Sequence, residues 1–231
     1  MTPLPTDRRT TRELAAKKET FSATARPAQW RAIENLIQSL VDEGIAANAL
    51  RRTDSAPDFI LPTGCGQTLR LYSQLDRGPV VLVFYRGGWC GFCETYLRGL
   101  QREIFYIREL GAELIAVSPQ LPDPSLQFES DCALQFPVLS DVGLKVTQKF
   151  GLTYDLPAKT RKTYREFGYD LAAVNGGGAP YRLPLAATFV IRPDRTIQVA
   201  AIDEDPAQRL DPIDVLEALV EVKSTRPART H

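Results

Sequence analysis

The tightest constraint on this chain is an apolar run that ends in two glycines and then delivers two cysteines three residues apart. Residues 80–93 read VVLVFYRGGWCGFC. Val80 to Tyr85 is apolar at both alternating positions, the pattern of a strand covered by helices on both faces. Beyond Cys93, Tyr96, Leu97, Leu100, Ile104 and Ile107 recur in helical phase, and Gly111 marks the stop. The unit is therefore strand, sharp turn, helix, with Gly87 and Gly88 supplying the turn. It places Cys90 and Cys93 in the first helical turn, at the carboxyl end of a strand, where open α/β sheets keep their sites.

The rest of the chain repeats the alternation. Residues 113–117 (ELIAV) and 136–140 (FPVLS) read as strands, and Asp141 caps a helix that stops at Gly151. Residues 152–183 are the least regular, with a helix expected near 156–167 and a turn at the glycine run that begins at Gly176. TFVI at 188–191 and TIQVAAI at 196–202 flank RPDR, a hairpin signal. A last helix spans residues 211–222, with Ile213, Leu216, Leu219 and Val220 on one side. Helices on both faces of a mixed sheet follow, a three-layer α/β domain over residues 52–222. Before it, residues 1–26 read as a flexible polar arm. Pro27 then opens an amphipathic helix with Trp30, Ile33, Leu36, Ile37, Leu40 and Val41 on one face. That face needs a cover, either the chain's own domain or a second copy in a homodimer. Residues 223–231 read as a disordered tail.

Composition narrows the function. Lys plus Arg and Asp plus Glu are each 28, so no global field recruits nucleic acid or an acidic membrane surface. No apolar run is long enough to span a membrane, and the first residues lack a secretory h-region, so the expected setting is the cytoplasm. In that reducing compartment a C-x-x-C pair points to catalysis or metal rather than to a structural staple. The only histidine is His231, which removes Cys-His proteolysis, a histidine zinc site and haem attachment. A thiol here must be activated by another cation, by a helix N-terminus, or by both.

Three readings of the pair compete: a redox couple, half of a four-cysteine metal site completed by Cys65 and Cys132, or two small buried side chains. Structural zinc sites present two closely spaced pairs, whereas Cys65 and Cys132 are single and far apart in sequence, so no metal and no other cofactor is expected. Unpaired amides at a helix start favour a thiolate, Arg86 offers a second cation, and the spacing lets the two sulfurs form a short disulfide. The redox couple is the reading adopted.

At these residues the chain resembles the thioredoxin-fold superfamily, and within it the peroxiredoxin-like branch of the alkyl hydroperoxide reductase/thiol-specific antioxidant family. The likeness is carried by APDF (56–59), GPVVLVFYRGGWC (78–90), AVSP (116–119), FPVLSD (136–141), LPLAATFVI (183–191) and RLDPIDVL (209–216). It implies a thioredoxin-like fold, to which the helix opening at Pro27 adds an N-terminal helical extension. The activity implied is reduction of hydrogen peroxide or organic hydroperoxides by Cys90 and Cys93, with regeneration by a thioredoxin- or glutathione-type thiol. Counting the peroxiredoxin motif from Phe84-Tyr85 puts Arg86 at its proline, Cys90 at its threonine and Cys93 at its peroxide-attacking cysteine. Thioredoxin logic instead makes Cys90, the first cysteine of W-C-G-x-C, the nucleophile. Both assignments stand at this point, with Cys90 favoured for disulfide exchange. Arg86, Trp89 and Thr188 are the candidate substrate contacts, Thr188 because thioredoxins place that strand's backbone opposite the cysteines. Without peroxide turnover, the same pair would make a thiol-disulfide oxidoreductase or a redox sensor.

Overall fold

Residue alternation along one central strand organises the molecule. The computed structural model describes residues 3–176 and 178–225. In chain order the elements are α1 (Arg9–Thr24), α2 (Pro27–Asp42), β1 (Ile60–Pro62), β2 (Thr68–Arg70), α3 (Leu71–Leu75), β3 (Val80–Phe84), α4 (Gly91–Arg102) and α5 (Ile104–Glu109). They continue with β4 (Glu113–Ser118), α6 (Pro122–Asp131), β5 (Val138–Ser140), α7 (Lys145–Lys149), β6 (Thr153–Asp155), α8 (Ala158–Glu166) and α9 (Leu171–Asn175). Strands β7 (Arg182–Pro184), β8 (Ala186–Ile191) and β9 (Ile197–Asp203) precede the closing helix α10 (Pro212–Ser224).

Strands β5-β4-β3-β8-β9 form a five-stranded sheet in that order. β3 pairs parallel with β4 and antiparallel with β8, so the sheet is mixed, as the sequence implies. Every residue of β3 is buried. Val81, Val83 and Tyr85 point to the layer built by α4, α5 and α10, where Tyr96, Leu100, Ile107, Leu216 and Leu219 close the core. Val80, Leu82 and Phe84 point the other way, to Phe150, Phe189, Tyr164, Leu36 and Leu40. The period of two thus produces the three layers. The helix expected to run unbroken to Gly111 is split at Glu103, whose N–H bonds the Leu100 carbonyl in a tighter three-residue step.

The N-terminal segment departs most from its sequence reading. Residues 9–24, read as part of a flexible arm, form α1, which packs on α4. Its apolar content is small, so periodicity does not reveal it; specific contacts hold it instead. Thr10 and Leu14 are buried, and a Cβ built on Gly99 of α4 would lie 2.4 Å from the Thr10 hydroxyl, so this approach requires glycine. Arg8 reaches Asp214 at 2.8 Å, Arg102 reaches Glu13 at 2.8 Å and Lys18 reaches Asp205 at 2.6 Å. Asp211 accepts from the Thr11 hydroxyl and from the N–H of Ile213, tying α1 to the cap of α10. α2 packs on α8, and its Leu36 and Leu40 enter the core on the opposite side of the sheet. The amphipathic face is thus covered by the chain's own domain; Val41, 50% exposed, is left out. The two N-terminal helices straddle the sheet, one toward each layer. Lys223 and Ser224 belong to α10, and residues 226–231 of the expected tail lie outside the described residues.

Candidate active site

Where β3 ends, the chain must turn within a few residues to start α4. Gly87 does this with φ of 142°, and a Cβ there would sit 2.4 Å from the Trp89 indole nitrogen. The turn is fixed from the next strand's loop: the N–H of Gly88 donates to Oε1 of buried Gln120 at 2.6 Å. Cys90 is the N-cap of α4 and Cys93 lies in its first turn, as the sequence placed them. Neither sulfur is in a disulfide, and Cys90 is 2% exposed.

Arg86 makes the two cysteines unequal. It is 8% exposed; its Nη2–H donates to Cys90 Sγ at 3.0 Å and its Nη1–H to the Tyr164 hydroxyl at 2.8 Å. Burial works against a charged sulfur at Cys90. The hydrogen bond from the Cys93 thiol, the Arg86 charge and the N–H of Cys93 overcome it and hold Cys90 well below the ordinary thiol range. Cys93 moves oppositely: burial, then its donation to the anionic neighbour, keep it protonated well above that range. Burial also opposes the Arg86 charge, but Cys90 and the tyrosine hydroxyls facing it keep the guanidinium protonated. Trp89 lies 5.4 Å from the guanidinium and packs against Tyr164 and Tyr169 at 5.6 and 5.2 Å. The arrangement thus favours a thiolate at Cys90 with the protonated Cys93 thiol beside it.

Arg86, Trp89 and Cys90 line one cleft with a cavity of about 220 Å³. Thr188 does not line it. Its side chain is buried in β8 with its hydroxyl 2.9 Å from that of Tyr96, and it faces a separate cavity toward Arg209. Cys65 is exposed after β1 and Cys132 ends α6; among the described residues no three Cys, His, Asp or Glu side chains gather as metal ligands would. Sequence reasoning missed Tyr164 and Tyr169, from the stretch read as irregular, and Lys17, Phe21 and the Trp30 ring as cleft walls. The tyrosines in KTYREFGYD were the available signal.

A mixed sheet that delivers a C-x-x-C pair to a helix N-terminus, with an arginine on the first sulfur, defines a thioredoxin-fold thiol redox protein. The chain belongs to the AhpC/TSA family, whose model matches residues 53–200. Among curated proteins it is 28% identical over 145 residues to the thiol-disulfide oxidoreductase ResA of Halalkalibacterium halodurans, covering 62% of this chain and 79% of that one. It is 28% identical over 142 residues to chloroplastic peroxiredoxin Q of Oryza sativa subsp. japonica, covering 62% of this chain and 64% of the rice protein. Among solved structures, peroxidoxin BcpB from Mycobacterium tuberculosis superposes with a TM-score of 0.59 at 23% identity, over 77% of this chain and 99% of that one.

Proposed function

We propose that the protein is a thiol-dependent peroxidase in which Cys90 attacks the peroxide and Cys93 resolves the product. The observation that carries this reading is the Arg86 guanidinium 3.0 Å from Cys90 Sγ at the start of α4. The Cys90 thiolate attacks the terminal oxygen of ROOH. The O–O bond breaks, RO⁻ leaves and takes a proton from solvent, and Cys90 becomes a sulfenic acid. The Cys93 thiol then condenses with it, releasing water and closing a Cys90–Cys93 disulfide. An external dithiol of thioredoxin type, or two glutathione-type thiols, reduces that bridge and is itself oxidised to a disulfide. Arg86 stabilises the attacking thiolate and is placed to contact the peroxide, with Trp89 beside it.

The need for a thiol reductant fits a cytoplasmic setting. A homodimer would have to use a surface other than the covered face of α2, and sedimentation at micromolar concentration checks this. A second reading, disulfide oxidoreductase, is favoured by the intact C-x-x-C and the likeness to ResA. Against it, Cys90 is 2% exposed in a cleft walled by α1 and α2, which a small peroxide enters more readily than a protein disulfide does; a thioredoxin reducing the Cys90–Cys93 bridge needs the same wall to open, whereas a glutathione-type thiol is smaller. Peroxide consumption driven by thioredoxin and by glutathione, run beside insulin disulfide reduction, tests the choice. Turnover of peroxide lost in Cys90→Ser supports the peroxidase; insulin reduction without peroxide turnover contradicts it.

A further inference from the structure

The cleft over Cys90 is only half built by the family domain. Its other wall comes from α1 and α2, which lie outside the matched residues 53–200. Phe21 of α1 stacks edge-on to Trp30 of α2 at 5.7 Å and to Phe92 at 6.2 Å, and lies 5.4 Å from Phe167. Hydrogen peroxide needs no such lining, because an apolar wall offers it no hydrogen bond. An apolar body does, and the cavity of about 220 Å³ sets its size. A cavity of roughly 150 Å³ accommodates benzene, so there is room for one substituted ring.

The rim carries charge. Lys18 is held by Asp205 at 2.6 Å, whereas Lys17 has no carboxylate partner among the described residues. The Lys17 ammonium hangs over the start of α4: a Cβ built on Gly91 would sit 3.2 Å from its Nζ. It therefore lies beside the residue that follows Cys90, at the half-buried mouth of an apolar pocket, where a charge-assisted contact is worth more than on open surface.

We propose that the wall formed by α1 and α2 makes this chain selective for a compact aralkyl hydroperoxide bearing a carboxylate on its ring, with the ring against Phe21 and Trp30, the carboxylate at Lys17 and the hydroperoxide at Cys90. This rests on the peroxidase reading and adds the substrate class. The products are the aralkyl alcohol and the Cys90 sulfenic acid, with the same atom balance as above.

The test compares hydrogen peroxide, cumene hydroperoxide and its para-carboxylate. A second readout does not depend on turnover: both tryptophans of the chain, Trp30 and Trp89, line the cleft, so unreactive 4-isopropylbenzoate should quench the fluorescence of the reduced protein saturably. The carboxylated peroxide is expected to exceed cumene hydroperoxide in kcat/KM by roughly tenfold. That ratio should fall toward one in Lys17→Gln and in high salt, and return in Lys17→Arg. Isopropylbenzoate should bind correspondingly more weakly to Lys17→Gln. Trp30→Ala should lower kcat/KM for both aralkyl peroxides relative to hydrogen peroxide. Hydrogen peroxide turnover with a ratio near one that ignores Lys17 overturns the selectivity and leaves the peroxidase standing. No consumption of any peroxide overturns both, whether or not isopropylbenzoate binds.

Discussion

The two walls of the Cys90 cleft are built by different physics. The floor, at the junction of β3 and α4, is over-determined: a fully buried strand, a glycine at a φ where a side chain would be strained and press on Trp89, a glutamine holding the turn and an arginine locked between a sulfur and a tyrosine. The roof is a polar helix held by ion pairs and one close contact at Gly99, and a second helix whose Leu36 and Leu40 anchor it in the core. Salt weakens the ion pairs of the roof and hardly touches the floor. The difference teaches that the thiol chemistry belongs to the floor, whereas access to it belongs to the roof.

Breaking the floor should have the largest effect. Cys90→Ser should abolish peroxide consumption, while Cys93→Ser should retain a single burst of one peroxide per chain and accumulate sulfenic acid, read by dimedone labelling and mass spectrometry. Next comes Arg86→Gln, which removes the cation facing Cys90. The Cys90 thiol should lose its depression and the peroxide rate at neutral pH should fall roughly ten- to hundredfold. The sign follows from the depressed thiol: in the native chain the rate should hold as pH drops below the ordinary thiol value, and in the variant it should decline there. A stopped-flow pH profile distinguishes the two.

Breaking the roof should act on access and stability instead. Gly99→Leu should push α1 off α4, cost about 1–3 kcal/mol of stability and raise the labelling rate of Cys90 by a bulky maleimide. Thermal unfolding and labelling rates report this, and an unchanged labelling rate would show that α1 does not guard the thiol. The smallest effect is expected from Tyr164→Phe, which deletes one hydrogen bond to Arg86, worth about 1 kcal/mol, and should slow peroxide attack a few-fold.

The same contrast explains what was legible in the sequence. The floor is local: strand, glycines, tryptophan and cysteines lie within one short run, residues 80–93, and periodicity together with helix-start electrostatics locates them. Arg86 and Trp89 could be named for the same reason. The mixed sheet and the hairpin followed from alternation. The roof is not local. α1 has too few apolar residues to announce itself, and its fit depends on Gly99, far along the chain from Thr10. Tyr164 and Tyr169 reach Arg86 and Trp89 from a stretch whose helices, α8 and α9, are short. Thr188, selected because the matching thioredoxin strand turns its backbone to the cysteines, pairs its hydroxyl with that of Tyr96 in α4 and does not line the cleft.

The central claim is that Cys90 is a thiolate near neutrality because Arg86 and Cys93 donate to it. Ultraviolet thiolate absorbance against pH, in reduced protein with Cys65→Ser and Cys132→Ser, measures it without depending on access. Two steps are expected, one well below the free-thiol value of about 8.5 that disappears in Cys90→Ser, and one well above it that belongs to Cys93. A single step near the free-thiol value, or a low step that survives Cys90→Ser, would contradict the account.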